Sequence, residues 1–172
     1  MSDSQTQPTH DEAVAKMRAL IKGIDIAMLT TVDGTDGTLR SRPMSTNGDV
    51  EFDGDLWFFT RASSHKVEEI ERSPQVNASF AQPDKQNYVS MSGNAALVLD
   101  RDKMKELWTP HLKAWFPKGT DDPDMALLKV NVEKAEYWDS PSSAMLHVYG
   151  ILKATLTGKS PSGGENVKID LA

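Results

Sequence analysis

Between Ile26 and Asp139 the sequence is a succession of short apolar runs separated by turn-forming residues, and that rhythm confines it to antiparallel β architecture. "IAMLTTV" from Ile26 is β-branched and apolar, "DGTDG" is a turn, and "TLRSRPMST" reads as the returning strand of a hairpin. "NGDVEFDGD" is a second turn-rich connection, with short pairing expected at Val50 and Phe52, before "LWFFT" forms a third strand. A helix is predicted over 64–72, closed by Ser73-Pro74, and "QVNASFA" follows as a strand. "QPDKQ" reads as a turn and "NYVSMSGNAALVLD" as a long strand bent or bulged at Gly93. "MALLKVNVEKAEYWD" supplies one or two further strands, with a turn expected near Glu133.

Helices are few. Thr9 and Glu12 form a capping-box pattern ahead of Val14, Met17, Leu20 and Ile21, which share a helical face that Gly23 can end. Met104, Leu107 and Trp108 share a face of another short helix before Pro110. Many short strands with peripheral helices predict a mainly β (α+β) barrel, with an open α+β sheet as the alternative.

At 172 residues and 19.0 kDa the chain can bury one sizeable core, and residues 1–157 read as a single domain. The tail 158–172, "GKSPSGGENVKIDLA", is polar and is expected to pack weakly. A net charge of −6 argues against a broad nucleic-acid footprint. With no cysteine there is no disulfide framework, thiolate metal site or thiol nucleophile. No signal-peptide pattern and no apolar run of membrane-spanning length occur, so a soluble cytoplasmic protein is expected. The four histidines are scattered without zinc-motif spacing, and no nucleophile elbow frames a serine; neither a metal nor hydrolase chemistry is predicted.

One local feature points to chemistry. In "FFTRASSHKVEEIERSP" a lysine, Lys66, stands in the first turn of a helix, where unpaired N–H groups already carry positive partial charge. Those N–H groups, the hydroxyls of Ser63 and Ser64 and the Lys66 ammonium would converge on a phosphate. The plainer reading has Ser63 or Ser64 capping the helix while Glu68 and Glu69 offset the lysine. Arg40 and Arg42, two apart on one strand face, admit the same two readings: a solvated rim, or an anion between them. Taken with Ser64 and Lys66, the planar fork of Arg42 favours the phosphate.

"FTRASSHK", the preceding "RSRPM", the order "LWFFT…SHKVEEIERSPQVNASF", the "NYVSMSG" strand and the late "AEYWDSP" together resemble the pyridoxamine-phosphate-oxidase-like FMN-binding split barrels, and most closely the general stress protein 26 branch. The resemblance implies an antiparallel, Greek-key type split β-barrel and a homodimer with FMN in two clefts between subunits. It implies that Arg42 and Lys66 hold the phosphate with Ser64, while His65 stands where relatives often carry arginine. Thr60 would face the polar edge of the isoalloxazine, the backbone around Met44 would line the ring, and Gln86 would contact the flavin. Trp138 would approach from the other subunit, and it reads equally well as a strand-end core aromatic. In the oxidases proper the late tryptophan precedes an Arg-x-His substrate motif; here "DSPSSAML" follows, and no arginine occurs after Arg101. True pyridoxamine phosphate oxidase activity is therefore not expected. Open readings are a flavin-dependent oxidoreductase in stress with a small-molecule electron donor or acceptor, a non-catalytic flavin carrier or redox sensor, or a split barrel that takes heme or a deazaflavin.

Overall fold

A computed structural model of the protein describes residues 8–46, 52–139 and 165–172. Its helices are α1 (His10–Ile21), α2 (His65–Arg72) and α3 (Arg101–Leu107). Its strands are β1 (Ile26–Val32), β2 (Leu39–Ser45), β3 (Asp55–Arg61), β4 (Gln75–Gln82), β5 (Asn87–Val98), β6 (Met125–Asp139) and β7 (Glu165–Asp170). All described strand pairs are antiparallel, in the order β2-β1-β4-β5-β6-β3, with β7 added to β6. The sheet curls into a half-barrel. Its edges β2 and β3 approach one another without hydrogen-bonded pairing.

The hairpin β1–β2, the strand β3 and the capped helix α1 stand where the sequence places them. Thr9 accepts from the Glu12 N–H at 3.4 Å while Glu12 accepts from the Thr9 N–H at 2.9 Å, which satisfies two otherwise orphaned donors. The apolar stripe of α1, with Met17 fully buried, packs into the main core beside Leu29, Phe58, Phe80, Val89, Met91 and Val130. Period-two alternation decides which strand residues enter that core. Leu56 and Phe58 point inward from β3, while Trp57 and Phe59 pack on a second cluster of Met104, Leu107, Phe116, Met125 and Leu127. Trp108 joins this cluster, with its ring edge-on to Phe59 at 6.1 Å, whereas Trp115 is exposed.

Two expectations are corrected. The turn expected near Glu133 is a β-bulge inside one continuous strand: Ser92 pairs with Lys134 and Gly93 with Val132, so Glu133 is skipped. The Glu133 carbonyl is turned to accept from Leu171 N–H at 2.7 Å. The end of the tail, residues 165–172, is likewise better packed than its composition suggests, because β7 pairs with β6 and Ile169 and Leu171 are buried in the core. The alternation of Val167, Ile169 and Leu171 outweighs the preceding Gly/Ser/Pro run. Phe52 is buried, whereas Val50 and residues 140–157 lie outside the described residues.

Gly93 makes the bulge possible. A Cβ there would overlap the Asn131 carbonyl oxygen and approach Val132 Cα to 2.9 Å, both backbone atoms that cannot swing aside. Gly93→Ala is therefore expected to lower unfolding free energy by about 1–3 kcal/mol in urea denaturation. An unchanged midpoint and slope would show that the β5–β6 ladder accommodates the methyl.

Candidate functional site

The site forms where the two sheet edges approach, under α2. Val67 and Ile70 pin this helix to the core, and Ser73-Pro74 stop it. The same amphipathic register carries Lys66 and Glu69, three residues apart, onto one side of the helix. Glu69 is an acid only 2% exposed. From β1 the buried parity of Ala27 and Leu29 continues to Thr31 and on to Asp33, so two polar side chains are delivered inward at the end of the strand. From β3 the parity of Leu56 and Phe58 continues to Thr60, which is 3% exposed.

These groups satisfy one another in two connected sets. Glu69 Oε2 accepts from Thr31 Oγ1 at 2.5 Å and from Arg42 Nη2 at 2.9 Å, while Arg42 Nη1 donates to Thr31 Oγ1 at 2.9 Å. Lys66 Nζ donates to Thr60 Oγ1 at 2.9 Å and to Ser64 Oγ at 3.2 Å. Ser64 is the N-cap residue of α2, yet its side chain makes no capping bond and turns to Lys66 instead. Ser63 is committed elsewhere, to the carboxylate of Asp124 through both its N–H and its hydroxyl. Arg40 is bound to Asp33, Nε to Oδ2 at 2.8 Å.

Electrostatics mark Lys66 as the costly member. Burial, and then the nearby charge of Arg42, push its ammonium below the ordinary lysine range, while Glu69 acts in the opposite sense. Burial alone would raise the Glu69 carboxyl, but hydrogen bonds from Thr31 and Arg42 and the charges of Arg42 and His65 together hold it below the usual carboxylate range. The Asp33 carboxyl is also lowered, first by the Thr35 N–H and then by its side chain and by Arg40. Asp33, His65 and Glu69 place potential metal-ligand atoms within 4.8 Å of one another. Both carboxylates are already paired with guanidinium groups, however, so a cation would enter against Arg40 and Arg42. Two half-buried cations with hydroxyl groups at hand suit an anion instead, and a phosphate matches that donor set.

Against this geometry stand the comparisons with known proteins. The family model "Pyridoxamine 5'-phosphate oxidase like" matches residues 12–162. The chain belongs to the pyridoxamine 5'-phosphate oxidase-like family. It is 28% identical over 162 residues to protein bli-3 of Neurospora crassa, covering 90% of this chain and 78% of that protein. The crystal structure of a general stress FMN/FAD binding protein from Xanthomonas citri matches with TM-score 0.66 and 28% identity, over 77% of this chain and 92% of that one. A structure from Jannaschia sp., named for general stress protein 26, superposes with TM-score 0.74 at 24% identity, over 93% of this chain and 99% of that one, and bears on the fold. The curled half-barrel is the split barrel of these pyridoxamine 5'-phosphate oxidase-like proteins.

For this family member, the residues singled out in the sequence separate into two groups. Arg42, Thr60, Ser64 and Lys66 come together as described, and His65 stands beside them with Nε2 3.6 Å from Glu69 Oε1. Met44, two residues beyond Arg42 on the same strand face, is buried in the main core. Gln86 and Trp138 lie at the opposite end of the sheet. Gln86 holds a left-handed conformation (φ 52°) in the β4–β5 connection, and Trp138 pairs with Tyr88 near the end of β6, whose beginning pairs with Thr60 and Arg61. Trp138 is 41% exposed, so it is not a core aromatic.

Thr31, Asp33 and Glu69 were not singled out as site residues, though each had a signal. Thr31 and Asp33 put polar groups on a buried strand parity, and Glu69 shares a helix face with Lys66 and Ile70. Because the Glu69 carboxyl is lowered in the folded chain, its contribution is present at neutral pH and is lost as pH falls through that lowered value. Glu69→Ala should therefore cost about 1.5–3 kcal/mol at neutral pH. The difference from the parent should shrink on acidification in chemical denaturation at stepped pH, and a difference independent of pH would contradict this account.

Proposed function

We propose that this chain binds FMN through the clamp of Arg42, Lys66, Ser64 and Thr60, as a cytoplasmic homodimer acting as a flavin-dependent oxidoreductase in stress. The observation that carries the reading is the half-buried Lys66 ammonium, held beside Arg42 at an electrostatic cost that a phosphate would relieve. The printed description of the Xanthomonas citri relative as FMN/FAD binding supports a flavin, and the general stress names among the relatives support the physiological setting.

The residues divide the work. Arg42 presents a planar fork already oriented by Glu69 and Thr31, so little rotamer freedom remains to be lost on binding. Lys66 adds a point charge and donates to Ser64 and Thr60, whose hydroxyls also bond each other at 3.3 Å and would have to exchange that contact to donate to phosphate oxygens. The bound flavin would supply the electron-transfer chemistry, and a small molecule would deliver or remove the electrons. The protein's part is to bind, orient and shield the ring.

Gln86 and Trp138 fit this reading through a second copy of the chain. The sheet face opposite the core exposes Ile26 (49%), Met28 (40%), Tyr88 (42%) and Trp138 (41%), an apolar set suited to burial against a partner subunit. Docking there would carry Trp138 toward the partner's ring site. The sequence after Trp138, "DSPSSAML", lacks the arginine that a second, substrate phosphate would want, so the vitamin B6 phosphate is not the proposed substrate.

Two measurements test the reading. The absorption spectrum of the purified protein should show flavin bands; a Soret band, or no chromophore together with no uptake of added FMN, would contradict it. Arg42→Ala and Lys66→Ala should each weaken FMN binding by about one to two decades, equivalent to roughly 1.5–3 kcal/mol, while the assembly stays folded. Unchanged affinity in both variants would remove the clamp. Bleaching of the bound flavin by reduced nicotinamide or another donor, followed by reoxidation, separates an oxidoreductase from a carrier that never turns over.

A further inference from the structure

Glu69 uses only one of its two oxygens. Oε2 takes the hydrogen bonds of Thr31 and Arg42, whereas Oε1 is buried with no hydrogen-bond partner. An unpaired carboxylate oxygen in that setting is costly. Facing it is His65, whose Nε2 stands 3.6 Å away and whose Nδ1 stands 3.5 Å from Glu68 Oε2 at the surface. The other charged groups around the pair are Lys66 on the same helix, Arg42 on β2, and Asp33 at the end of β1, itself bound to Arg40. β5, which also contacts α2, carries no acid or base except Tyr88 at its far end, and Arg61 of β3 is engaged with the Trp115 carbonyl, Asp122 and Asp124.

The charge balance leaves a place for one proton. Asp33 and Arg40 cancel, and Arg42 and Lys66 balance Glu69 and the surface Glu68, so the cluster holds no spare positive charge for an anion. A phosphate dianion brings two negative charges and draws on the same Arg42 that now serves Glu69. We propose that the His65–Glu69 pair couples phosphate binding to proton uptake: as the anion engages Arg42 and Lys66, His65 takes a proton from solvent and its Nε2–H closes on Glu69 Oε1. Glu69 then stays ionised and keeps Arg42 oriented, which makes it a positioning residue for the clamp. Histidine suits the task because its charge change falls in the physiological range. An arginine at the same position would be charged throughout and would couple to nothing. The inference rests on the phosphate-clamp reading and deepens it with a pH dependence.

Titration of FMN into the flavin-free protein between pH 6 and pH 8.5, read by flavin fluorescence, tests the coupling. FMN's own phosphate titrates near the acid end, so the parent is compared with His65→Gln and Glu69→Gln, in which that contribution is the same. Uptake of a proton means affinity rises as pH falls. The parent should gain about three- to tenfold more affinity across this range than either variant, and calorimetry in buffers of different ionisation enthalpy should show greater proton uptake by the parent than by His65→Gln. A uniform loss of affinity with parallel pH profiles would show His65 and Glu69 to be merely structural; it would overturn the coupling while leaving the clamp standing. Absence of FMN binding to the parent at every pH would overturn both.

Discussion

The candidate site depends on one buried acid. Glu69 lies on α2, the short helix between β3 and β4, and reaches across to Thr31 on β1 and Arg42 on β2, the opposite edge of the sheet. It thereby ties the β3 side of the split, where Lys66, Ser64 and Thr60 gather, to the β2 side, where Arg42 stands. A carboxylate this deep is tolerable because it is hydrogen-bonded and paired. Its charge offsets the two cations held near each other.

This arrangement reinterprets the lysine at the helix start. Glu69 does offset Lys66, as the plainer sequence reading holds, but it also recruits Arg42, whose charge works against Lys66. Ser64 occupies the N-cap position and does not cap. The helix thus gives up a stabilising bond worth about 1 kcal/mol and turns the hydroxyl to the lysine. A departure of this kind is expected where a chain builds a site.

Much of the scaffold was legible because its signals are local. The capping box of α1, the β1–β2 hairpin and the bulge at Gly93 follow from residues within a few positions of each other. β7 was misread because low-complexity composition upstream masked a short alternation whose partner, β6, is distant in sequence. Glu133 was misread because a bulge and a turn share the same polar interruption, and only the partner strand distinguishes them. At the site, Arg42, Ser64 and Lys66 could be recognised as phosphate-type residues, while Glu69 could not be ranked above Glu68 or Glu71 until the core showed which of them is buried. Gln86 and Trp138, chosen for the same ligand, lie at the end of the β5–β6 ladder away from Thr60, a separation set by strand register and not by local sequence.

The claim at the centre is that the clamp reads a phosphate and not the flavin ring. Riboflavin carries the same ring without the phosphate, so the decisive comparison is the affinity of the flavin-free protein for FMN and for riboflavin under one buffer. The account predicts that riboflavin binds at least tenfold more weakly and that the gap narrows in Arg42→Ala. Equal affinities for the two flavins, or a gap that persists when Arg42 is removed, would contradict it.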